Sequence, residues 1–600
     1  MKPAATNPAK VQYRIVPIDP RAHLFEVELS CQTPDPAGQR FSMPAWIPGS
    51  YMIRDFARHV VSIQARCGSR RVALKKLDKQ SWRAAPCRGT LTLRYRVYAW
   101  DLSVRGAHLD ATHGFFNGTS VFLWVDGLEG EACTVEILPP GDRTGANWQV
   151  ATTLQAVDTN RQHFGTYFAA SYDELIDHPV EMGNFTKLAF QAHGAPHAVT
   201  LSGRHDCDGE RLVKDLQKVC EAQIRLFEPR KRKPPFEQYL FMTTVLGEGY
   251  GGLEHRSSTA LIASRADLPY AGMKETTDGY RRFLGLASHE YFHAWNVKRI
   301  KPQAFVRYDL DRENHTALLW VFEGFTSYYD DLMLVRSGVI TQAQYLKTLG
   351  ATVNQVARNP GRQMQSVAES SFDAWTKYYR QDENAPNAIV SYYTKGALVA
   401  LCLDLTIRVR TGSRRSLDDV MRLLWRRYGA SQAARRQGLP ENGLPDLVLE
   451  ATGVSLNDEI ARWAHGTDEL PLAECLQHAG IAIERKAGAL RDAMLGARLS
   501  ARHGELTLAS VIQHGACHRA GLCAGDLLLA LDGLRIEDRT LGPMLERHQA
   551  GDRVRIHAFR RDELMEFELK LDGPEGPEVA LTAQPKPLAK QARLRKHWLG

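Results

Sequence analysis

Hydrophobic and polar residues alternate along several short stretches in the first 170 residues. The clearest is Thr90–Trp100, where leucine, tyrosine, valine or alanine occupies every second position from Leu91 to Ala99. Side chains alternate between the two faces of a strand, so this pattern predicts a strand with one apolar face. Similar stretches, separated by turn residues, lie at 11–17, 24–30 and 132–138. We therefore predict an antiparallel β-sandwich or saddle domain over residues 1–170.

After residue 170 the pattern becomes a mixture of strand and helix signals. Residues 236–245 predict a strand rich in aromatic and β-branched residues, which leads into the glycine-rich segment 247–252. Helical periodicity follows at 278–299, at 317–335 and then almost continuously from 346 to 475. These patterns predict a mixed domain over 171–345 and an α-helical domain over 346–475.

The segment 476–575 changes character again, with short strands separated by glycine-bearing turns. Its central part, Ala516–Gly533, resembles the helix, turn and strand of a PDZ domain. Leu495-Gly496-Ala497 matches the carboxylate-binding loop of such domains, which would receive a peptide C-terminus or an internal strand. A PDZ-like brace without a peptide ligand is the alternative. Residues 576–600 are expected to form a basic tail.

Composition and charge exclude several classes of protein. With 44% hydrophobic and 24% charged residues, the 600-residue chain has the balance of a globular protein of several domains. The net charge of +8 is small for this length and does not indicate a nucleic-acid partner. No stretch approaches the roughly 18 apolar residues of a membrane span, and the N-terminus has no secretory signal pattern. Ten scattered cysteines without a Cys-x-x-Cys pair lead us to expect a cytoplasmic protein.

The strongest chemical signal is His289-Glu290-Tyr291-Phe292-His293. Residues four apart lie on one face of a helix, so the imidazoles of His289 and His293 can bind one metal ion. Glu290 would then face the open side of that ion, where a carboxylate can take a proton from water. A chance occurrence of the motif is the alternative reading.

A third ligand is predicted 30 residues after the second histidine. Glu323 is a lone acid within the apolar segment Trp320–Tyr329. A buried carboxylate is costly unless it is paired or bound to a metal, so Glu323 requires a partner. A structural salt bridge to an arginine is the alternative. The sequence does not identify the groups that orient the two histidines; Asp330 and a backbone carbonyl are the candidates.

Two further segments would complete a peptidase site. Gly251 and Gly252 would allow a substrate backbone to approach, and Glu254 could bind an amine. Tyr393, at the start of a predicted helix, could donate a hydrogen bond to a developing oxyanion. Taken singly, Glu254 could be a surface acid and Tyr393 a packing residue. The order of all these motifs along one chain favours the peptidase reading.

The motifs together resemble the glycyl aminopeptidase family of zinc metallopeptidases, which is similar in layout to the aminopeptidase N superfamily. The matching blocks are GGLEH around Glu254, HEYFHAWNVKRI from His289, WVFEGFTSYY around Glu323 and SYYTKG around Tyr393. The block PAWIPGSYMIRDF at 44–56 resembles the β domain of that family, and a C-terminal PDZ domain is its usual companion. The resemblance covers nearly the whole chain. It implies a multidomain α+β protein with an N-terminal antiparallel β domain, a thermolysin-like zinc catalytic domain, a helical domain and a C-terminal PDZ domain.

The resemblance also implies a role for each site residue. His289, His293 and Glu323 would bind Zn²⁺, and Glu290 would be the general base.

On the substrate side, the resemblance implies that Glu254 binds the free α-amine of a peptide and that Tyr393 stabilises the tetrahedral intermediate. The expected activity is removal of N-terminal residues, with glycine or alanine favoured. Three alternatives stay open from the sequence: a zinc endopeptidase, a PDZ adaptor with a relic metal domain, and hydrolysis of a non-peptide such as an epoxide. The roles of Asn296, Lys298 and Arg299 are also open.

Overall fold

The computed structural model describes residues 9–141, 145, 147–486, 490–573 and 578–600. Their contacts divide the chain into two units. The first holds the described residues up to Asn314 together with Arg336–Ile340 and Leu424–Leu439. The second holds His315–Val335, Thr341–Leu423 and the described residues from Pro440 onward.

The N-terminal part of the first unit is built from three sheets. An eight-stranded sheet has the order β14-β15-β12-β1-β2-β8-β4-β5, and two four-stranded sheets have the orders β13-β16-β10-β9 and β11-β3-β7-β6. The strands are β1 Val11–Asp19, β2 Leu24–Cys31, β3 Arg40–Ser42, β4 Val60–Cys67, β5 Arg70–Val72, β6 Leu74–Lys76, β7 Ser81–Ala84, β8 Leu91–Tyr98, β9 Ala107–Leu109, β10 His113–Phe116, β11 Trp124–Val125, β12 Cys133–Ile137, β13 Gln149–Ala151, β14 Gln155–Thr159, β15 Gly165–Ala169 and β16 Val180–Gly183.

The alternation seen in the sequence corresponds to the buried face of the large sheet. Leu91, Leu93, Tyr95 and Val97 of β8 are buried, whereas the residues between them are more exposed. The β-rich N-terminal region is therefore confirmed. Its sheets are antiparallel except for β1 and β12, which pair in parallel. Two short helices, α1 Gly118–Val121 and α2 Tyr172–Ile176, connect these strands.

The rest of the first unit consists of a five-stranded sheet and two long helices. The sheet order is β17-β18-β19-β21-β20, so β20 is an edge strand. These strands are β17 Phe185–Ala192, β18 Ala195–Ser202, β19 Tyr239–Leu246, β20 Tyr250–Glu254 and β21 Ser258–Ser264, and the helices are α3 Gly209–Phe227 and α4 Asp278–Phe292. Leu253 and Ala260 of this sheet belong to the same hydrophobic core as the N-terminal strands, so one core supports both parts of the unit.

Helices dominate the middle of the chain, as predicted. A π-helical turn, Trp320–Gly324, leads directly into the first helix of the second unit. The helices are α5 Phe325–Arg336, α6 Gln342–Ala357, α7 Val367–Phe372, α8 Ala385–Ala388, α9 Thr394–Arg410, α10 Leu417–Leu424, α11 Gln432–Arg435, α12 Leu444–Thr452, α13 Asn457–Ile460 and α14 Leu472–His478. Among the described residues, no helix is both long and apolar enough to cross a membrane.

The C-terminal part of the second unit contains a small β domain with the predicted PDZ character. Its main sheet has the order β23-β24-β25-β27-β28, with β26 paired to β25. Leu541 and Leu545 of α17 pack with Leu508, Leu528 and Ile556 in its core. The elements are β22 Ile481–Lys486, α15 Leu490–Leu495, β23 Ala497–Arg502, β24 Glu505–Val511, α16 Ala516–Ala520, β25 Leu527–Leu531, β26 Leu534–Arg535, α17 Asp538–Leu545, β27 Arg553–Arg560, β28 Glu563–Lys570, β29 Glu578–Ala583 and α18 Ala589–Leu599.

The segment expected to be a basic tail is folded. Strand β29 pairs with β22, and the side-chain amide of Asn354 on α6 bonds both the N–H and the carbonyl of Val579 (2.8 and 3.0 Å). In α18, Leu594, Trp598 and Leu599 are buried, and the Trp598 indole N–H donates to the Tyr328 hydroxyl (2.9 Å). The apolar face of α18 explains why its lysines and arginines do not keep the segment unfolded.

Candidate active site

Helix α4 carries the two histidines of the predicted metal motif at its C-terminal end. The Thr277 hydroxyl caps the N-terminus of the helix by accepting the N–H of Tyr280 (3.1 Å). His289 lies in the last turn, and His293 follows the final helical residue directly. The centroids of their rings are 4.6 Å apart, and the ring planes are 85° to one another. The four-residue spacing therefore places both imidazoles on one side of the helix.

The helix ends at Phe292, earlier than the periodicity predicted, and the chain after it orients His293. Val297 has a φ of +150°, which is unfavourable for a β-branched residue and takes the backbone off the helical path. This path lets the backbone carbonyl of Asn296 accept a hydrogen bond from Nδ1 of His293 (2.7 Å). Because Nδ1 then carries the proton, Nε2 is left with the lone pair that a metal ion requires. For His293 the orienting group is thus a backbone carbonyl.

The carboxylate of Glu290 lies directly over strand β20. A Cβ atom placed on Gly252 would lie 2.5 Å from Cδ and 2.7 Å from Cγ of Glu290, far closer than an ordinary contact. Glycine at 252 therefore leaves the space that the Glu290 side chain occupies. Glu290 is 5% exposed, so its carboxylate works in a largely water-free environment. Nearby, one ligand atom each of Glu254, Glu290 and His293 lies within 4.8 Å of the others.

Glu254, the last residue of β20, borders a small chamber in the first unit. A Cβ atom on Gly49, whose φ is +98°, would lie 2.5 Å from one carboxylate oxygen of Glu254 and 2.6 Å from the other. The N-terminal loop therefore packs directly against this acid. The chamber has a volume of about 20 Å³, and its walls include Trp46, Tyr51, Val297, Lys298, Lys301, Phe305 and Tyr308. Glu254 is 4% exposed, and its Oε1 atom has no hydrogen-bond partner among the described residues.

A buried ion-pair network connects the two segments that carry Glu254 and His293. The carboxylate of Asp177, just after α2, forms an ion pair with the ammonium of Lys298 (2.6 Å) and accepts a hydrogen bond from the backbone N–H of Arg256 (3.0 Å). The Arg256 guanidinium (3.5 Å) and the His255 imidazole (3.4 Å) also face this carboxylate. Burial alone would raise the pKa of Asp177, but Lys298 and Arg256 hold it well below its ordinary value. One carboxylate thus ties the end of β20 to the loop after the second histidine.

Arg299 adds a second connection between the same segments. Its guanidinium donates to the backbone carbonyls of Ala294 (2.7 Å), Arg256 (2.9 Å) and Pro235 (2.9 Å). The two basic residues after the motif, whose roles the sequence left open, therefore hold backbone and carboxylate groups around the site.

In the second unit, Glu323 lies within the π-helical turn and is 2% exposed. The next residue, Gly324, meets helix α9 so closely that a Cβ atom there would lie 2.7 Å from the Cα of Gly396 and 2.9 Å from the carbonyl oxygen of Tyr392. Two facing glycines therefore bring the turn against the start of α9. π-helical turns are frequent at functional sites because they shift a side chain out of the regular helical register.

Tyr393 is the N-cap residue of α9 and belongs to a group of tyrosines in the same unit. Its ring stacks on Tyr392 (centroids 4.7 Å apart) and on Tyr378 (5.7 Å). Its hydroxyl lies 3.2 Å from that of Tyr379. Burial raises the pKa of Tyr378, with a further contribution from the charge of Glu323. The acid and the tyrosines therefore lie in one electrostatic environment within this unit.

The predicted residues are thus distributed over both units. The first contains Gly251, Gly252, Glu254, His289, Glu290 and His293, and the second contains Glu323 and Tyr393. The two imidazoles, one oriented by a backbone carbonyl, together with buried carboxylates provide the donor chemistry that Zn²⁺ uses in hydrolases. Sequence reasoning missed Asp177, which has no motif around it. It also gave Gly49 no role, although this glycine lies in the PAWIPGSY block that carried the resemblance.

Comparison with protein families gives three matches along the chain. Residues 12–184 match the Peptidase M61 N-terminal domain, residues 282–399 match M61 glycyl aminopeptidase, and residues 493–571 match a PDZ domain. Among curated proteins, none matches the chain.

One solved structure is similar over almost its entire length. The aminopeptidase N family protein from Idiomarina loihiensis is 40% identical, with a TM-score of 0.93 over 98% of this chain and 100% of its own. The M1 zinc metallopeptidase from Deinococcus radiodurans is 14% identical, with a TM-score of 0.47 over 78% of this chain and 95% of its own. Yeast LTA4 hydrolase is 12% identical, with a TM-score of 0.44 over 78% of this chain and 70% of its own. These last two likenesses are too low to carry conclusions about chemistry.

Proposed function

The chain belongs to the M61 glycyl aminopeptidase family of peptidases, and we propose that it is a zinc-dependent aminopeptidase that removes N-terminal glycine or alanine from peptides. The observation that carries this proposal is the buried carboxylate of Glu254. One of its oxygens has no hydrogen-bond partner among the described residues, and the carboxylate borders a chamber of about 20 Å³. A buried, unsatisfied carboxylate is costly, and the ammonium of a peptide N-terminus would satisfy it.

The size of the chamber supports the preference for small residues. A volume of about 20 Å³ accommodates one water-sized group, since such a group requires roughly 10–15 Å³ on the same measure. The α-ammonium on Glu254 would occupy most of this space, so the adjoining side chain must be small, and the side chains of valine and leucine would require the aromatic walls to move. We therefore expect cleavage to fall sharply beyond alanine.

In the proposed mechanism, His289, His293 and Glu323 hold the zinc ion. When bound, zinc polarises the scissile carbonyl and lowers the pKa of a water molecule. Glu290 accepts the proton of that water and passes it to the leaving amine. The buried position of Glu290 above Gly252 keeps its carboxylate in a fixed place for both transfers.

The substrate is held at its other atoms by residues of β20 and α9. Glu254 binds the α-amine, and the open backbone at Gly251 and Gly252 lets the peptide lie along the edge strand β20. The hydroxyl of Tyr393 donates to the developing oxyanion. The contact between the Tyr379 and Tyr393 hydroxyls supports this role, because it restricts the direction in which the Tyr393 hydroxyl can point.

The proposal includes the organisation of the chain and its other partners. We divide it into a β domain (1–170), a catalytic domain (171–345), a helical domain (346–475), a PDZ domain (476–575) and a basic C-terminal segment. Leu495-Gly496-Ala497, which runs from the last residue of α15 to the first residue of β23, would receive a peptide terminus or strand. All ten cysteines are free thiols, which supports a cytoplasmic location.

The test combines zinc analysis with a substrate panel. We expect one catalytic zinc per chain, cleavage of glycyl and alanyl anilides, and no cleavage of the N-acetylated forms. Glu290→Gln should keep zinc and lose activity, whereas Glu248→Gln, which changes an exposed acid just before β20, should behave as wild type. Rapid cleavage of N-blocked peptides would instead identify an endopeptidase. An inactive wild-type protein that binds peptides through its PDZ domain would identify an adaptor.

A further inference from the structure

Three potential metal ligands lie together on the hairpin that joins β9 and β10. His108 is in β9, His113 begins β10, and Asp110 is in the turn between them, where its N–H donates to the carbonyl of His113 (3.0 Å). His108 pairs with Phe115 across the hairpin. Since alternate residues of a strand share a face, residues 108, 110, 113 and 115 all project from the same side of the hairpin.

The distances between these side chains suit a shared ion. Nε2 of His108 is 3.2 Å from Oδ2 of Asp110, and Nδ1 of His113 is 3.7 Å from Oδ1 of the same carboxylate. One ligand atom from each of the three residues lies within 4.8 Å of the others. A tetrahedral ion with ligands at 2.0–2.1 Å separates them by about 3.3 Å. The first pair already has this spacing, and small side-chain rotations bring in the third ligand.

The turn holds the carboxylate of Asp110 in place. Its Oδ1 atom accepts the N–H of Thr112 (2.6 Å), the hydroxyl of Thr112 (2.6 Å) and the N–H of His113 (3.0 Å). On the neighbouring strand β16, a Cβ atom on Gly183 would lie 2.9 Å from the Cβ and 3.3 Å from the Cα of His113, so glycine lets the two strands approach closely at this residue. The fold therefore positions the Asp110 carboxylate before any ion binds.

The described polar contacts of the buried His108 ring and the partly buried His113 ring all lie at the turn: Nε2 of His108 contacts Asp110 (3.2 Å), and Nδ1 of His113 lies 3.4 Å from the Thr112 hydroxyl. The side chain of His108 is 4% exposed and that of His113 is 14% exposed. Within the described chain, Nδ1 of His108 and Nε2 of His113 have no hydrogen-bond partner. These are not the nitrogens that face Asp110: the ligand atoms would be Nε2 of His108 and Nδ1 of His113, which lie nearest its carboxylate. Here the polar contacts of both rings converge on the Asp110 end of the hairpin.

We propose that His108, Asp110 and His113 form a second, structural metal site that binds a divalent transition-metal ion such as Zn²⁺. Two imidazoles and one carboxylate select such ions, because Mg²⁺ and Ca²⁺ require mainly oxygen ligands. Asp110 is partly exposed, so water can reach the remaining coordination position. The site lies in the sheet β13-β16-β10-β9 and shares no residue with the proposed catalytic centre.

The ion would stiffen a loop that touches the proposed substrate strand. Residues 103–106 lead directly into β9, and within them Arg105 donates weakly to the carbonyl of Gly252 (3.5 Å). Val104 lies 4.0 Å from the Cβ position of Gly251, and its carbonyl accepts the side-chain amide of Asn117 (2.9 Å). Fixing the hairpin fixes the start of β9, and with it the position of this loop against β20.

The test uses the full chain carrying His289→Ala and His293→Ala, which removes two ligands of the proposed catalytic zinc. This background protein is stripped with chelator, reloaded with Zn²⁺ and analysed for metal by mass spectrometry after desalting. We expect one equivalent of zinc in this background and a higher melting temperature with zinc than without. Adding His113→Gln or Asp110→Asn should abolish both effects, whereas His205→Gln, on a partly exposed histidine outside the hairpin, should abolish neither.

Two results would overturn the proposal. One is a background protein that folds but retains no zinc, and the other is zinc that persists when both His108→Gln and His113→Gln are present. If the background protein does not fold, the wild-type chain with only the hairpin substitutions answers the same question. It should lose one zinc equivalent while its remaining metal stays bound. Because the hairpin is probed separately, failure of the proposed catalytic zinc would not imitate failure of this site.

Discussion

Substituting Gly252 by alanine tests whether the position of Glu290 controls the rate. The added Cβ atom would overlap Oε1 of Glu290, its nearest neighbour, and would lie 2.5 Å from Cδ. An ordinary contact begins at 3.4 Å, so Cδ alone must retreat by 0.9 Å (3.4 − 2.5) and the carboxylate as a whole by more than that. The displaced group is the end of a flexible side chain and not backbone. The protein can therefore accommodate the methyl group by moving the proposed general base, and its stability should change little.

The cost should instead appear in the chemical step. A displacement of about 1 Å in a positioned catalytic group lowers a rate by roughly 10²-fold, so we expect Gly252→Ala to reduce kcat on a glycyl anilide by about that factor. Zinc content and melting temperature should match the wild type. Gly247→Ala is the matched control, because a Cβ atom there meets nothing within 4 Å. A Gly252→Ala protein with wild-type kcat would refute the placement of Glu290 as the base above this strand.

Three further predictions follow from the site and its supports. Tyr393→Phe should lower kcat by about 10²–10³-fold with zinc retained. Tyr379→Phe, which removes only the neighbouring hydroxyl, should lower kcat by about 10-fold. Equal losses of kcat in the two variants would contradict a direct role for Tyr393 alone. Asp177→Asn leaves buried cations without their partner and should lower the free energy of unfolding, measured by urea titration, by about 3–5 kcal/mol. A change below about 1 kcal/mol would show that the ion-pair network does not stabilise the fold. Burial lowers the pKa of His178 and of His197 to about 4, so both are neutral in the folded chain. In the unfolded chain both histidines bind protons below about pH 6.5. The free energy of unfolding should therefore be unaffected by them above that pH and should fall between pH 6.5 and 4, by up to about 3 kcal/mol per histidine. A melting temperature that stays constant over this range would contradict the neutral state of these two histidines.

The periodic parts of the fold could be predicted because their patterns report burial directly. The alternation in β8 follows from the 2.0 period, and the strand lies within a few residues of the predicted bounds. Helix α9 lies inside the region 346–475 for which helices were predicted. The end of α4 could not be predicted in this way. Its residues continue an acceptable helical pattern, whereas in the structure the positive φ of Val297 and the hydrogen bond from His293 to the Asn296 carbonyl take the chain off that path.

In the candidate site too, residues with a local sequence pattern could be predicted and residues without one could not. Glu254, Glu290 and His293 were singled out because their spacing and residue types carry chemistry, and the structure places these three side chains together. Asp177 carries an equally demanding task, but a single aspartate in an ordinary segment has no local signature. Its partners come from two distant parts of the chain, so only the tertiary structure reveals it. The folded C-terminal segment was missed for a similar reason, since its many basic residues concealed three apolar ones on one side of a helix.

If Glu254 binds the substrate amine as proposed, the packing of Gly49 on Glu254 gives the N-terminal β domain a share in substrate selection. A loop outside the proposed metal site forms one wall of the chamber that would receive the end of the peptide. Exchanging this loop between relatives should therefore retune which residues are trimmed while leaving the hydrolytic apparatus intact. For engineering, the residues that set selectivity could then be exchanged separately from helix α4, which carries the two histidines.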